Sequence, residues 1–222
     1  MTNTTSSAAL ADGDFLHAKL QKQTSPLLVS AKRHSDQEKM EIIEGHFKMI
    51  METLGLDLRD DSLKGTPGRV AKMFVKEIFS GLDPLNKPSI SLFKNSYHYH
   101  EMLMEKNITL YSYCEHHFVP IIGKAHVAYI PNGRVIGLSK INRLVNYYSK
   151  RPQVQERLTI QIAEGLKEAL QTEDVAVRIE ATHLCVASRG IQDTQSNTAT
   201  VNYSGKFLDQ NRKAEFMAQL TD

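Results

Sequence analysis

Both cysteines of this 222-residue chain lie close to histidine. Cys114 precedes His116 and His117 in the stretch Tyr-Cys-Glu-His-His-Phe. Cys185 follows His183 by two positions. Thiolate and imidazole are ligands that zinc prefers in proteins, and an imidazole also exchanges protons near neutral pH. The two segments therefore predict a zinc site with proton-transfer groups, although two buried cysteines packed beside hydrogen-bonded histidines explain the same pattern.

The spacing leaves open which histidine is the metal ligand. In an extended strand Cys114 and His116 share a face, whereas a turn brings Cys114 and His117 onto one metal. Pro120 and the loss of alternation after Tyr113 favour the turn. In the zinc hypothesis Cys185 is a third ligand from a distant strand. Three protein ligands leave one position for water, which is the composition of a catalytic zinc site.

A second group of polar and basic residues lies around the central helical segments. It consists of Ser139, Lys140, Arg143, Arg151, Arg157 and Arg189. Lys140 and Arg143 lie one turn apart at a predicted helix start, where cations and free backbone N–H groups suit a phosphorylated ligand. A solvated basic face is the alternative. Glu156, at the opening of the next helix, either complements the helix dipole or accepts paired N–H donors from a base such as guanine.

The composition is that of an ordinary soluble globular protein, with 41% hydrophobic and 23% charged residues. A formal net charge of +2 does not favour binding to nucleic acid or to an anionic membrane. No run approaches the roughly 18 apolar residues of a membrane span, and the first residues lack a secretory pattern. We therefore expect a cytoplasmic protein whose thiols stay reduced and are available for metal binding or catalysis.

Hydrophobic periodicity predicts an α+β fold in which helices cover one face of an antiparallel sheet. Helices are predicted over 36–54, 66–78, 139–148, 152–170 and 211–220, the first capped by Ser35 and the second opened by Thr66-Pro67. Strands are predicted over 107–113, 125–131, 174–186 and 198–207, with a turn at Asn132-Gly133. Residues 1–35 are predicted to be a loosely ordered arm with one helix near 8–23. Residues 36–222 then form a single domain whose N-terminal portion, 36–82, is helical.

Four extended blocks carry a family resemblance. CEHHFVPIIGKAHVAYIP, VIGLSKINRLV, RPQVQERLT and HLCVASRG, in this order and spacing, closely resemble GTP cyclohydrolase I of the zinc-dependent type. The resemblance runs from about residue 36 to 207 and includes DDSLKGTPGRVAKMF. It implies hydrolytic opening of the GTP imidazole ring at C8, loss of formate and rearrangement to 7,8-dihydroneopterin triphosphate. Rival functions are a non-catalytic zinc protein that binds a nucleotide, and a relative acting on another purine or pterin.

The resemblance also implies roles for individual residues. It assigns zinc to Cys114, His117 and Cys185, and proton transfer to His116 and His183. It assigns the guanine edge to Glu156 with the backbone near Gln155, and the triphosphate to Ser139, Lys140, Arg143 and Arg189. Arg69 is expected to reach the phosphates of a neighbouring subunit. The implied architecture is the tunnelling fold, assembled as a decamer of two pentamers with active sites between subunits. Glu115 receives no role.

Overall fold

The computed structural model describes residues 25–27 and 34–220, so the helix predicted near 8–23 lies outside it. The helices are α1 (Asp36–Thr53), α2 (Thr66–Lys72), α3 (Leu138–Ser149), α4 (Gln155–Leu170), α5 (Leu184–Ala187) and α6 (Gln210–Ala218). A π-helical segment, Met73–Ile78, continues α2. The strands are β1 (Leu92–Lys94), β2 (Leu103–Cys114), β3 (Pro120–Tyr129), β4 (Arg134–Ile136), β5 (Pro152–Gln153), β6 (Val175–His183) and β7 (Thr198–Tyr203). Within the described ranges, no helix combines the length and apolar composition that a membrane span requires.

The main sheet has five strands in the order β5-β2-β3-β6-β7. Strands β2, β3, β6 and β7 pair antiparallel, and the two-residue β5 runs parallel to β2. A second, smaller sheet pairs β1 with β4. The predicted antiparallel sheet and the α+β class are thereby confirmed.

Helices α3 and α4 cover one face of this sheet. Their apolar stripes include Leu144, Leu158 and Leu166, which are fully buried and pack in one cluster with Leu110 of β2 and Ile179 of β6. Apolar residues recurring at helical spacing predict such a buried face, and the helices lie where that pattern requires.

The C-terminal segment packs on the opposite face of the sheet at one end. Ala128 of β3 and Ala176 of β6 alternate with residues of the main core, so they point away from α3 and α4. Both pack in a second cluster with Phe207 and Phe216, which are fully buried.

Strand β6 ends earlier than its alternation predicts. The strand was expected to reach residue 186, but it stops at His183, and Leu184–Ala187 form the short helix α5. In the register of the sheet, His183 pairs with Ile121. The next residue would face Pro120, which has no N–H to donate, so the ladder cannot continue there.

Two further boundaries depend on partners distant in the chain. The helix expected from residue 152 begins at Gln155, because Pro152 and Gln153 pair with Tyr113 and Cys114 of β2. Strand β7 was expected to reach 207 but ends at Tyr203, opposite the beginning of β6. A short 3-10 helix follows, starting at Gly205 with a φ of +54°.

Strand pairing brings the ends of β2 and β6 together at one end of the sheet. Strand β2 ends at Cys114 and β3 begins at Pro120, and β6 ends at His183 opposite Ile121. The turn after β2 and the chain leaving β6 therefore lie side by side. In this way the segments around Cys114 and Cys185, which are distant in the chain, come to share one site.

Candidate active site

Cys114, His117 and Cys185 come together at the end of the sheet where β2 and β6 end. One ligand atom from each residue lies within 4.8 Å of the other two. Cys114 is buried at the end of β2, Cys185 on α5 is half-buried, and His117 is exposed. Two thiols and an imidazole form a donor set that suits zinc. The cluster therefore fits a three-ligand metal site with one side open to solvent.

A tight turn directly after strand β2, rather than a continuation of the strand, brings His117 back towards Cys114. The Cys114 N–H donates to the Val119 carbonyl at 2.9 Å, and the Phe118 N–H donates to the Cys114 carbonyl at 2.8 Å. Phe118 adopts a φ of +54°, in the left-handed region that reverses the chain. Of the two alternatives that spacing left open, the structure has the turn, and His117 is the histidine that lies with both thiols.

The two thiols are close enough to affect one another. Burial raises the pKa of the Cys185 thiol, and the neighbouring Cys114 thiol raises it further. Two adjacent thiolates repel each other, so a cation is required to hold both sulfur atoms deprotonated. A divalent metal ion bound by both sulfur atoms would meet that requirement.

His116 and His183 lie beside the cluster. The Nδ1 atom of His116 is 3.6 Å from the Cys114 sulfur, and the ring is exposed. His183 is the last residue of β6, two positions before Cys185. Burial lowers the pKa of His183, and the nearby Glu156 carboxylate opposes this shift.

The side chain of Gln155 determines how His183 is protonated when neutral. Its amide nitrogen faces the carbonyls of Ile179 and Thr198, at 3.2 and 2.9 Å, so its oxygen is the atom that faces His183. That oxygen lies 2.8 Å from His183 Nε2 and can only accept. His183 therefore carries its proton on Nε2, which leaves the Nδ1 lone pair free.

Arg189 and Glu156 also reach the cluster region. An Nη1 hydrogen of Arg189 is donated to His117 Nε2 at 3.0 Å, and the guanidinium is exposed. Glu156 is exposed in the first turn of α4, close enough for its charge to act on His183. A cation and an anion thus lie near the predicted metal ligands.

The remaining predicted binding residues have no hydrogen bond or ion pair to the cluster in the described part of the chain. Ser139, Lys140 and Arg143 lie in the first two turns of α3, and no hydrogen bond or ion pair among residues 34–220 joins them to it. Arg69 donates to the Ser62 carbonyl and to Thr66 Oγ1, both at 2.8 Å. Its contacts are therefore local.

Two cations of the basic group are engaged within the protein. Arg151 donates to the Gly81 carbonyl at 2.8 Å and stacks over the rings of Tyr147 and Tyr148. Arg157 forms an ion pair with Glu115. The solvated basic face considered from sequence is therefore wrong for these two arginines.

Comparison with known proteins identifies the family. The GTP cyclohydrolase I profile matches residues 43–221. The chain is 62% identical over 193 residues to GTP cyclohydrolase 1 of Flavobacterium johnsoniae, covering 87% of this chain and 86% of that protein. The chain belongs to the GTP cyclohydrolase I family. It is also 55% identical over 197 residues to GTP cyclohydrolase 1 of Aeromonas hydrophila, covering 88% of this chain and 89% of that protein.

Membership of the GTP cyclohydrolase I family confirms the resemblance carried by the four sequence blocks. The mixed α+β structure with its antiparallel sheet is consistent with the tunnelling fold of that family. The division into an arm and one domain, and the roles of individual site residues, stay predictions.

Sequence reasoning missed what the side chain of Gln155 does in this member of the GTP cyclohydrolase I family. A signal was present, because Gln155 lies on the same helical stripe as Leu158 and Ile162, both of which are apolar. A polar residue on a buried stripe requires a hydrogen-bond partner. The identity of that partner, His183, depends on the pairing of strands and could not be read from the pattern.

Proposed function

We propose that this chain opens the imidazole ring of GTP by hydrolysis at C8, releases formate and rearranges the product to 7,8-dihydroneopterin triphosphate. This reaction is the first step of pterin and folate biosynthesis. One observation carries the proposal: Cys114, His117 and Cys185 converge beside two further histidines in a member of the GTP cyclohydrolase I family. A purely structural zinc site usually has four protein ligands, and the described residues form a group of three.

The proposed cofactor is zinc, held by Cys114, His117 and Cys185. A zinc ion held there would lower the pKa of a bound water molecule to about 7 and so supply a nucleophile near neutral pH. The buried Cys114 anchors the site, and the exposed His117 leaves it accessible to a substrate. We place the protein in the cytoplasm, where thiols stay reduced.

Proton transfer is assigned to His116 and His183. His183 accepts and returns a second proton at Nδ1, because its Nε2–H is donated to Gln155. His116 lies beside Cys114 and is exposed, so its ring is accessible to a bound substrate. Together they donate protons to, and accept protons from, the ring nitrogen and the sugar oxygen as the C–N bonds break.

The proposed substrate contacts come from several segments of the chain. The Glu156 carboxylate accepts hydrogen bonds at the guanine edge. The backbone of Gln155 at the start of α4 contacts the same edge. Because the side chain of Gln155 is buried and bonded to His183, only its backbone is available for this contact. The triphosphate is assigned to Ser139, Lys140, Arg143 and Arg189, and Arg69 is assigned to the phosphates bound at a neighbouring subunit.

The proposal includes a homo-oligomer, a decamer of two pentamers with active sites between subunits. Exposed apolar residues on α1 support association, because an isolated soluble chain rarely exposes a large apolar patch. They are Ile42, Met49, Ile50 and, at the end of the helix, Leu54. Association would also bring Arg69 close to the active site of a neighbouring subunit, where its assigned phosphate contact lies.

The activity is tested by incubating zinc-loaded protein with GTP. We expect equimolar formate and a pterin-type fluorescence, with ATP as a control that is not converted because it lacks the guanine edge. A zinc protein that binds GTP without releasing formate would contradict the proposed activity and favour the non-catalytic alternative.

Removal of the proposed triphosphate cations should weaken GTP binding selectively. Lys140→Ala and Arg189→Ala should each raise the KM for GTP by about 10- to 100-fold, because each loses a charge-assisted hydrogen bond. The inhibition constant of guanosine, a competitor without phosphate, should change little. Lys48→Ala, in an exposed ion pair on α1, is the matched control. Equal effects on GTP and guanosine would contradict the assignment.

A further inference from the structure

Glu115, between the predicted ligands Cys114 and His117, forms an ion pair with Arg157 of α4. The pair is partly shielded from solvent, since the Arg157 side chain is 11% exposed and that of Glu115 is 24% exposed. The other carboxylate oxygen of Glu115 lies 4.0 Å from His116 Nε2. One side chain thus connects the turn that carries Cys114, His116 and His117 to the first turn of a helix.

Arg157 is held in place by additional contacts. Its Nε donates to the Gln153 side-chain oxygen at 3.0 Å, and its Nη2 donates to the Pro152 carbonyl at 3.2 Å. Gln153 is fully buried, and its amide nitrogen donates to the Tyr148 carbonyl and to Gln161. The guanidinium is therefore oriented before it meets Glu115.

The backbone of the same segment also contacts the turn. Gln153 pairs with Cys114 across β5 and β2, and the Glu115 N–H donates to the Gln153 carbonyl at 3.0 Å. Beyond Glu115, the chain leaves this backbone contact and reverses. The ion pair adds a side-chain contact at Glu115, the first residue of the turn, and Phe118 just beyond the turn packs against Phe79.

A shielded ion pair is a weak source of stability, because removing two charges from water costs about as much as their attraction returns. Such pairs are better explained where they select one conformation. We infer that the Glu115–Arg157 pair positions the turn so that Cys114 and His117 stay within reach of Cys185. This inference rests on the proposed zinc site and gives Glu115 a positioning role.

The test measures zinc retention rather than activity. Zinc-loaded wild type, Glu115→Gln and Arg157→Gln are mixed with a chromogenic chelator, and zinc affinity is measured by competition. We expect each variant to bind zinc about 10- to 100-fold more weakly, the range typical for loss of a group that orients a metal ligand. Because the two side chains act as one unit, the double variant should lose no more than the weaker-binding single variant.

Glu180→Gln is the matched control, since Glu180 forms a similar pair with Arg178 within β6. It should bind zinc as the wild type does. Thermal unfolding of the zinc-free proteins distinguishes a general loss of stability from a specific loss of zinc affinity. A general loss would lower the melting temperature without changing the zinc affinity of folded protein. Wild-type affinity in both single variants, or losses that multiply in the double variant, would overturn the inference alone. A wild-type chain that takes up no zinc would overturn the metal site and the inference together.

Discussion

Replacing Cys185 by alanine should remove zinc and abolish GTP turnover together. Thiolates form the tight bonds of a zinc site, and the remaining Cys114 and His117 are too few to retain the ion. Cys185 is half-buried on the short helix α5, so its loss leaves a small void at the surface of the core. The measurement is zinc per chain by elemental analysis, beside the rate of formate release.

The neighbouring residue provides the control for this substitution. Val186 lies on the same helix and is 38% exposed, so Val186→Ala should keep both zinc and turnover. Cys114→Ala should match Cys185→Ala, although Cys114 is more deeply buried. Full metal content and normal turnover in either cysteine variant would remove the zinc assignment.

Of the two adjacent histidines, only His117 should be required for zinc binding. His117→Ala should release zinc, because His117 is the histidine that lies with both thiols. His116→Ala should keep zinc and still bind GTP, but turn over about 10²- to 10⁴-fold more slowly, the usual cost of losing a positioned proton-transfer group.

Zinc analysis and single-turnover kinetics on both variants decide between the roles. Zinc loss in His116→Ala with retention in His117→Ala would reverse the assignment. If both residues served only packing, either substitution would lower stability and leave the metal content of folded chains unchanged.

Local signals were sufficient for several elements. Ser35 and Glu38 form the capping box expected at the start of α1, and both of its hydrogen bonds are present. Gly133 in the predicted Asn132-Gly133 turn has a φ of +71°, which glycine adopts without strain. These features involve residues close in sequence, so the cause of each conformation lies within a few neighbouring residues.

Element ends depended on partners that a local pattern does not contain. Strand β6 stops at His183 because the next position faces Pro120, and α4 begins late because Gln153 pairs with Cys114. A strand lasts only as long as its neighbour offers hydrogen bonds, and that neighbour is chosen by the sheet.

The sequence by itself determined the family, the α+β class and the residue types of the site, because the blocks around Cys114 and Cys185 are specific in composition and spacing. Only the tertiary structure decided which groups meet. The turn placed His117 rather than His116 with the thiols, and strand pairing gave His183 its partner Gln155. Side-chain partners of this kind are set by the register between strands and helices distant in the chain, which spacing along one segment does not encode.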